Sequence, residues 1–173
     1  KNGMVFDNSG AQNRNGNPSL GWTRHNGPNQ LWVIEPVNAN HIHFRNPQTN
    51  KCLDDTGLAQ LGHVYHIWEC SNGNRNQWFR LQPLAPVAPV LPVAPVARVT
   101  PPVTLFKPEG DFNIVGKTGL CVSALNKNGR LTQRNCGNDD HLVWRAQQHN
   151  NGLVIQSKNG LVMDNISSQN KNG

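Results

Sequence analysis

The stretch His25-Asn26-Gly27-Pro28-Asn29-Gln30-Leu31-Trp32-Val33-Ile34-Glu35-Pro36 decides the fold. Asn, Gly and Pro build a turn, and a strand opened by Trp32 follows it. The same order returns at NQWFRLQP (76–83) and, more weakly, at LVWRAQ (142–147). Upstream of each copy lies an apolar triplet that often ends in Asp. It reads KNGMVFDN at 1–8, NKCLDDTG at 50–57, TGLCVSAL at 118–125 and again KNGLVMDN at 158–165. The equivalent positions are Val5, Cys52, Cys121 and Val162. HIHFRN (41–46), FNIVGK (112–117) and LVIQSK (153–158) supply an extra strand before a unit. With one linker removed, the period is ~40–47 residues of β pattern.

Composition agrees. Of 173 residues, 36% are apolar and 15% charged, with 16 Gly, 12 Pro and 25 Asn. That is too poor in Ala, Leu, Glu and Lys for a helical bundle or coiled coil. No apolar run is long enough for a membrane helix. Net charge is +6, but Lys and Arg never form a run of three. No basic stripe points to nucleic acid, and membrane insertion is not expected. No leader peptide is evident, so a secreted protein would be seen here as a mature form or a fragment.

Residues 83–107 are low-complexity, with Pro83, Pro86, Pro89, Pro92 and Pro95 every third residue. Three per turn is the polyproline II period, so the segment reads as a stiff linker, with a docking ligand as the other reading. It separates two repeats in 1–82 from a degenerate third repeat and the start of a fourth in 108–173. Cys52, Cys70, Cys121 and Cys136 fall as two pairs, 18 and 15 residues apart. Neither has Cys-x-x-Cys spacing, so two short-loop disulfides in an oxidising, extracellular setting fit better than zinc.

Three units are too few for a propeller. Three four-stranded units closing on a pseudo-threefold axis make a β-trefoil, which leaves no sheet edge exposed. Two arrangements remain open. Strand counting favours one permuted trefoil with a Pro-rich excursion between units 2 and 3. The stiffness of the linker favours parts of two tandem trefoils completed elsewhere or by a second copy.

Gln30-Leu31-Trp32 resembles the Q-x-W motif of ricin-B-type lectins. Cys52-Leu53-Asp54 with Trp68-Glu69-Cys70 resembles that family's C-L-D and W-x-C elements. The resemblance covers 1–82 well and 110–165 loosely. It implies a shallow sugar pocket in each intact repeat. There an Asp accepts hydroxyl hydrogen bonds, a ring stacks on the sugar's C–H face, and amides complete the polar set. The implied residues are Asp7, Trp22, Asn29 and Gln30 in repeat 1, with Leu20 at a usually polar position. In repeat 2 they are Asp54, His66, Trp68 and Asn76. In repeat 3, Ser123 takes the Asp place, Arg134 the aromatic one, and His141 and Leu142 the amide places, so that repeat reads as structural. The fourth copy keeps Asp164 without partners. The implied ligand is a galactose/GalNAc-type or related glycan, with no cofactor and no metal.

Blander roles stand beside these. Trp32, Trp78 and Trp144 read as core anchors, Asp7 and Asp54 also as turn caps, and Gln30 also as a hairpin bracket. His41 and His43 share a strand face without a third metal ligand and read as solvent-facing. Asn165-Ile166-Ser167 is a glycosylation sequon. No nucleophile–base pair, paired carboxylates or phosphate loop appears, so no enzymatic activity is expected. Three functions follow: a secreted carbohydrate-binding lectin, a cell-binding or targeting subunit of a multi-subunit toxin or extracellular assembly, or a glycan-binding appendage of a hydrolase.

Overall fold

The computed structural model describes residues 4–84, 107–126 and 128–158. Most of the Pro-rich segment, the fourth apolar triplet, Asp164 and the Asn165 sequon lie outside the described residues.

Thirteen short strands carry the described chain: β1 (Met4–Asn8), β2 (Asn17–Thr23), β3 (Val33–Asn38), β4 (His41–Asn46), β5 (Lys51–Asp54), β6 (His66–Glu69), β7 (Phe79–Pro83), β8 (Phe112–Gly116), β9 (Cys121–Ser123), β10 (Gly129–Arg130), β11 (Thr132–Arg134), β12 (Trp144–His149) and β13 (Gly152–Ser157). Six of them close a barrel. The hairpins β3–β4, β7–β8 and β12–β13 are joined through Ile42 opposite Phe79, Trp144 opposite Phe112, and Trp32 opposite Leu153. These three joining pairs are threefold equivalents.

The hairpins β1–β2, β5–β6 and β9–β11 cap one end of the barrel. Around the pseudo-axis their backbones form a closed ring. Ser19 N–H donates to Tyr65 O, Tyr65 N–H to Leu131 O and Leu131 N–H to Ser19 O, each at 3.0 Å. Three units of unlike sequence therefore satisfy one another's buried backbone groups. At this junction Gly21 has no substitute, because a Cβ there would sit 2.9 Å from the Ala124 methyl.

The strand missing ahead of unit 1 is β13, which pairs with β1 at Val5 opposite Gln156. β7 and β8 pair directly from Phe79–Gly116 to Pro83–Phe112, on either side of the Pro-rich segment. The described strands thus close one trefoil, with β13 standing ahead of β1. The ladder brings together the two strands that the linker's stiffness was expected to hold apart. β7 also runs through Pro83, one residue into the expected linker.

The core stacks Phe6, Phe44, Phe79, Trp32 and Trp144, with Leu53, Ile67, Ile114, Val122 and Ile155 between them. Phe6 lies edge-on to Trp32, Phe44 and Trp144 at centroid distances of 6.0, 5.6 and 4.6 Å. Trp32 Nε1 donates to Phe6 O and Trp144 Nε1 to the equivalent Val122 O, so both indoles are buried with their polar atom paired. Trp78 departs from its expected role as the third anchor. The anchor of unit 2 is Phe79, because Gln77 aligns with Gln30 and the motif there is Q-x-F. Trp78 is half-buried, with its ring against His41 and under Arg75. His43 corrects the solvent-facing expectation: it is buried on β4, and burial pulls its pKa down against the attraction of Glu35.

Cys52–Cys70 and Cys121–Cys136 are disulfide-bonded. Each closes a hairpin loop and stabilises by about 3 kcal/mol on loop-entropy grounds. Among the described residues no group of three metal-ligating side chains forms, and no helix is long and apolar enough to cross a membrane.

Candidate functional sites on the three cap hairpins

In each cap hairpin the central residue of the first strand points to the core, as Phe6, Leu53 and Val122 do. Its neighbours therefore point to the outer face. That alternation places Asp7, Asp54 and Ser123 at equivalent positions. Cross-strand register then sets Leu20, His66 and Thr132 opposite them, and Trp22, Trp68 and Arg134 one step further along.

The repeat 2 site is the more open. Asp54, Thr56, His66, Trp68, Asn74 and Asn76 line a cleft of about 280 Å³. Asp54 Oδ1 accepts from Thr56 N–H at 2.8 Å and approaches His66 Nε2 at 3.4 Å. Its Oδ2 accepts from Asn74 Nδ2 at 2.8 Å and Gln77 Nε2 at 3.2 Å. Burial raises the pKa of this carboxyl, but His66, the Thr56 N–H and Gln77 together outweigh it and hold the pKa below the ordinary value. Trp68 is 42% exposed and tilts against the His66 ring at 5.5 Å. Cζ3 of the indole comes near Gly16, 3.8 Å from where a Cβ would stand, and the φ of +78° there suits glycine.

Asn76 lines this cleft, but its side chain does not reach Asp54. Its Oδ1 accepts from Lys117 Nζ. The amides on Asp54 are Asn74 and Gln77, and the sequence reading missed both. Their signal was the Asn-x-Asn-Gln turn, in which Asn74 Oδ1 also caps the 3₁₀ turn through Asn76 N–H.

In repeat 1 the carboxylate is held mostly through one oxygen. Asp7 Oδ2 accepts from Gln30 Nε2 at 2.8 Å and Asn29 Nδ2 at 3.0 Å, with His25 Nε2 at 3.3 Å. Burial dominates here, and the Gln30 and His25 contacts only partly offset it, so the pKa is raised. Trp22 is half-buried on the same face. His25 was also missed. It does from a loop what His66 does from a strand, because Leu20 occupies the His66 place. Gln30 brackets the hairpin, since its Oε1 accepts from the N–H groups of His25 and Asn26 while Nε2 donates to Thr23 O as well as to Asp7. Gln77 repeats this clamp with Ser71 N–H and Glu69 O.

In repeat 3 neither carboxylate nor ring is present. Ser123, Thr132 and Arg134 share the face, and Leu142 packs with Val115 and Cys121 where the glutamine clamp stands elsewhere.

The profile of the ricin-type β-trefoil lectin domain-like family matches residues 1–68 and 28–88. Among solved structures, the chain resembles a designed threefold-symmetric protein, ThreeFoil, at 18% identity and a TM-score of 0.64, over 81% of this chain and 87% of that one. It resembles an exo-β-1,3-galactanase from Clostridium thermocellum at 15% identity and TM-score 0.57, over 82% of this chain but only 29% of the galactanase chain. It also resembles a chain of the cytolethal distending toxin from Actinobacillus actinomycetemcomitans at 17% identity and TM-score 0.54, over 96% and 92% of the two chains. No curated protein gives a significant match. At these identities the structural likeness speaks for the fold.

Proposed function

The chain belongs to the ricin-type β-trefoil lectin-like family, and from that premise we propose that it is an extracellular, non-catalytic carbohydrate-binding protein whose principal site is the repeat 2 cleft. The observation that carries this reading is the exposed Trp68 ring standing beside the fixed Asp54 carboxylate at the mouth of an open cleft. A hexose ring offers one apolar C–H face and a set of adjacent hydroxyls. Trp68 suits the first, while Asp54, Asn74 and Asn76 suit the second. The His66 contact to Asp54 is the longest of the four at 3.4 Å, so it is the one a sugar hydroxyl replaces. Repeat 1 offers a second, tighter site through Asp7, Trp22 and Asn29. A galactose/GalNAc-type ligand is the expectation carried by the resemblance. One shallow site binds weakly, so useful avidity comes from both sites or from several chains.

Titration with galactose and GalNAc, followed by tryptophan fluorescence and calorimetry, tests this. Trp68→Ala removes an exposed ring and leaves the core intact, so it should weaken binding at least tenfold, in keeping with ~2 kcal/mol for truncating an aromatic hot spot. An unchanged affinity in Trp68→Ala combined with Asp7→Ala would remove both sites. A second reading, a cell-binding or targeting subunit, is favoured by the near full-length match to a chain of a multi-chain toxin. Stable co-purification with a partner chain, without response to any glycan, would support it instead.

A further inference from the structure

We infer that the flank of the barrel beside the β7–β8 hairpin binds the carboxylate or sulfate of an acidic glycan, through Arg80, Lys117 and His41. This rests on the carbohydrate-binding reading and extends it from the repeat 2 cleft to the substituent of the next sugar. The threefold repeat supplies the comparison. Arg80 lies opposite Val115 on β7–β8 as Arg145 lies opposite Gln156 on β12–β13. Lys117 and Lys158 each stand two residues beyond those partners. On β12–β13 this pair of cations holds a carboxylate. Asp111 accepts from Arg145 Nε, and from its Nη2 at 3.1 Å, and lies 4.0 Å from Lys158 Nζ. Asp140 adds a second carboxylate, 3.8 Å from Lys158.

On β7–β8 no such carboxylate stands. Asp111 comes one residue before Phe112, which faces Trp144. The equivalent residue, one before Ile42 where it faces Phe79, is His41. An acid is exchanged for an imidazole while both cations are kept. Among the described residues neither Arg80 nor Lys117 forms an ion pair. Both are exposed, and with His41 they line an open cleft of about 610 Å³ that no acidic side chain lines. Asp55 attracts Lys117, but it is buried and outside this cleft. The His41 ring is held against Trp78 at 5.1 Å, and its Nδ1 donates to Asn38 Oδ1 at 3.1 Å. A guanidinium fork, an ammonium and an imidazole suit a carboxylate or a sulfate, as the Asp111 contacts illustrate.

The position of this cleft ties its ligand to the repeat 2 site. Lys117 Nζ donates to Asn76 Oδ1, and Asn76 lines the repeat 2 cleft. The two clefts therefore meet at one hydrogen bond. A sugar held by Trp68 and Asp54 can thus carry a linked acidic group onto Lys117 and Arg80.

The test uses the full chain, labelled with ¹⁵N, at low salt. Lactose, 3′-sialyllactose and 3′-sulfolactose are titrated into wild type, Arg80→Gln, His41→Asp and Trp68→Ala. At least one acidic sugar should move the Arg80 Nε–H resonance and the Lys117 amide, and bind about tenfold more tightly than lactose. Whichever acid binds more tightly identifies the substituent. The advantage over lactose should fall in Arg80→Gln. It should vanish in His41→Asp, which gives β7–β8 the carboxylate that Asp111 gives β12–β13. It should also vanish in ~1 M salt, where the Debye length is about 3 Å. The Arg80 response should persist in Trp68→Ala at lower affinity. The inference is overturned if both acids bind no more tightly than lactose, or if their advantage survives in His41→Asp. Lactose leaving Trp68 unmoved while an acid still moves Arg80 would sink the repeat 2 reading and leave the anion site standing, so the two failures are distinguishable.

Discussion

Asp7 and Asp54 occupy equivalent positions, yet their surroundings push them in opposite directions, and this has a measurable consequence. A carboxyl with a folded pKa below its unfolded value stabilises the fold above that value. The stabilisation is lost as pH falls through the folded pKa. Asp54 is of this kind, lowered from 3.8. Asp7 is raised from 3.8, so its favourable contribution is present below 3.8 and is lost as pH rises through its folded pKa. Thermal unfolding of Asp54→Asn and Asp7→Asn against wild type between pH 3 and pH 7 checks both signs. The deficit of Asp54→Asn should shrink as pH falls, and that of Asp7→Asn should grow. Deficits that move in the same direction would mean the two carboxyls share one environment. The two Asp residues were legible in the sequence because each closes an apolar triplet. Their imidazole partners were less so. His66 was picked out at its strand position, but His25 comes from a loop at no fixed offset, and only tertiary folding brings it to Asp7. The amide exchange between Asn29 and Asn74 has the same cause. Two equivalent turns aim side chains from different positions at their own carboxylates, Asn29 at Asp7 and Asn74 at Asp54.

At the scale of the strand, the Q-x-W element is read correctly only when its register is taken from the glutamine. Gln77 clamps its hairpin as Gln30 does, and that fixes Phe79 as the inward residue of β7. A reading led by tryptophan instead places Trp78 in the core, where the one-residue offset of a strand puts it on the opposite face. The two positions should therefore respond very differently to truncation. Phe79→Ala opens a cavity beside Phe44 and Tyr65 and should cost about 3–5 kcal/mol. Trp78→Ala loses a half-buried ring against His41 and Arg75 and should cost about 1 kcal/mol. Urea unfolding of the two variants gives the comparison, and equal losses would contradict the register. The disulfides were legible at this scale because hairpin partners fall at short, similar separations. Repeat 1 has Val5 and Arg24 at the two places, and Arg24 instead donates to Asn26 Oδ1 and Gln147 Oε1.

For the whole molecule, closure depends on a hairpin whose connection is very unlike its two equivalents. β3 and β4 are joined by Ala39-Asn40, and β12 and β13 by Asn150-Asn151, two residues each. Between Pro83 and its ladder partner Phe112 there are 28 residues. The sequence showed the repeats on either side but not their contact, because stiffness along a proline run says nothing about where its ends are held. The ladder holds them, with Leu84 N–H donating to Asp111 O beyond the last pair. The fold therefore does not require the connection. Replacing residues 84–111 by Asn-Gly, a dipeptide that favours two-residue hairpins, should leave the trefoil intact. It removes the exposed ion pair of Asp111 with Arg145, which is worth little. Shortening the loop from 28 residues to two lowers the closure entropy by (3/2)RT ln 14, about 2 kcal/mol. The excised protein should thus unfold at a higher temperature than the parent and keep its response to sugars at Trp68. A lower unfolding temperature, with the amide spectrum of the barrel lost, would show that the Pro-rich segment carries part of the fold. A stable barrel that no longer binds glycan would place it at the binding surface.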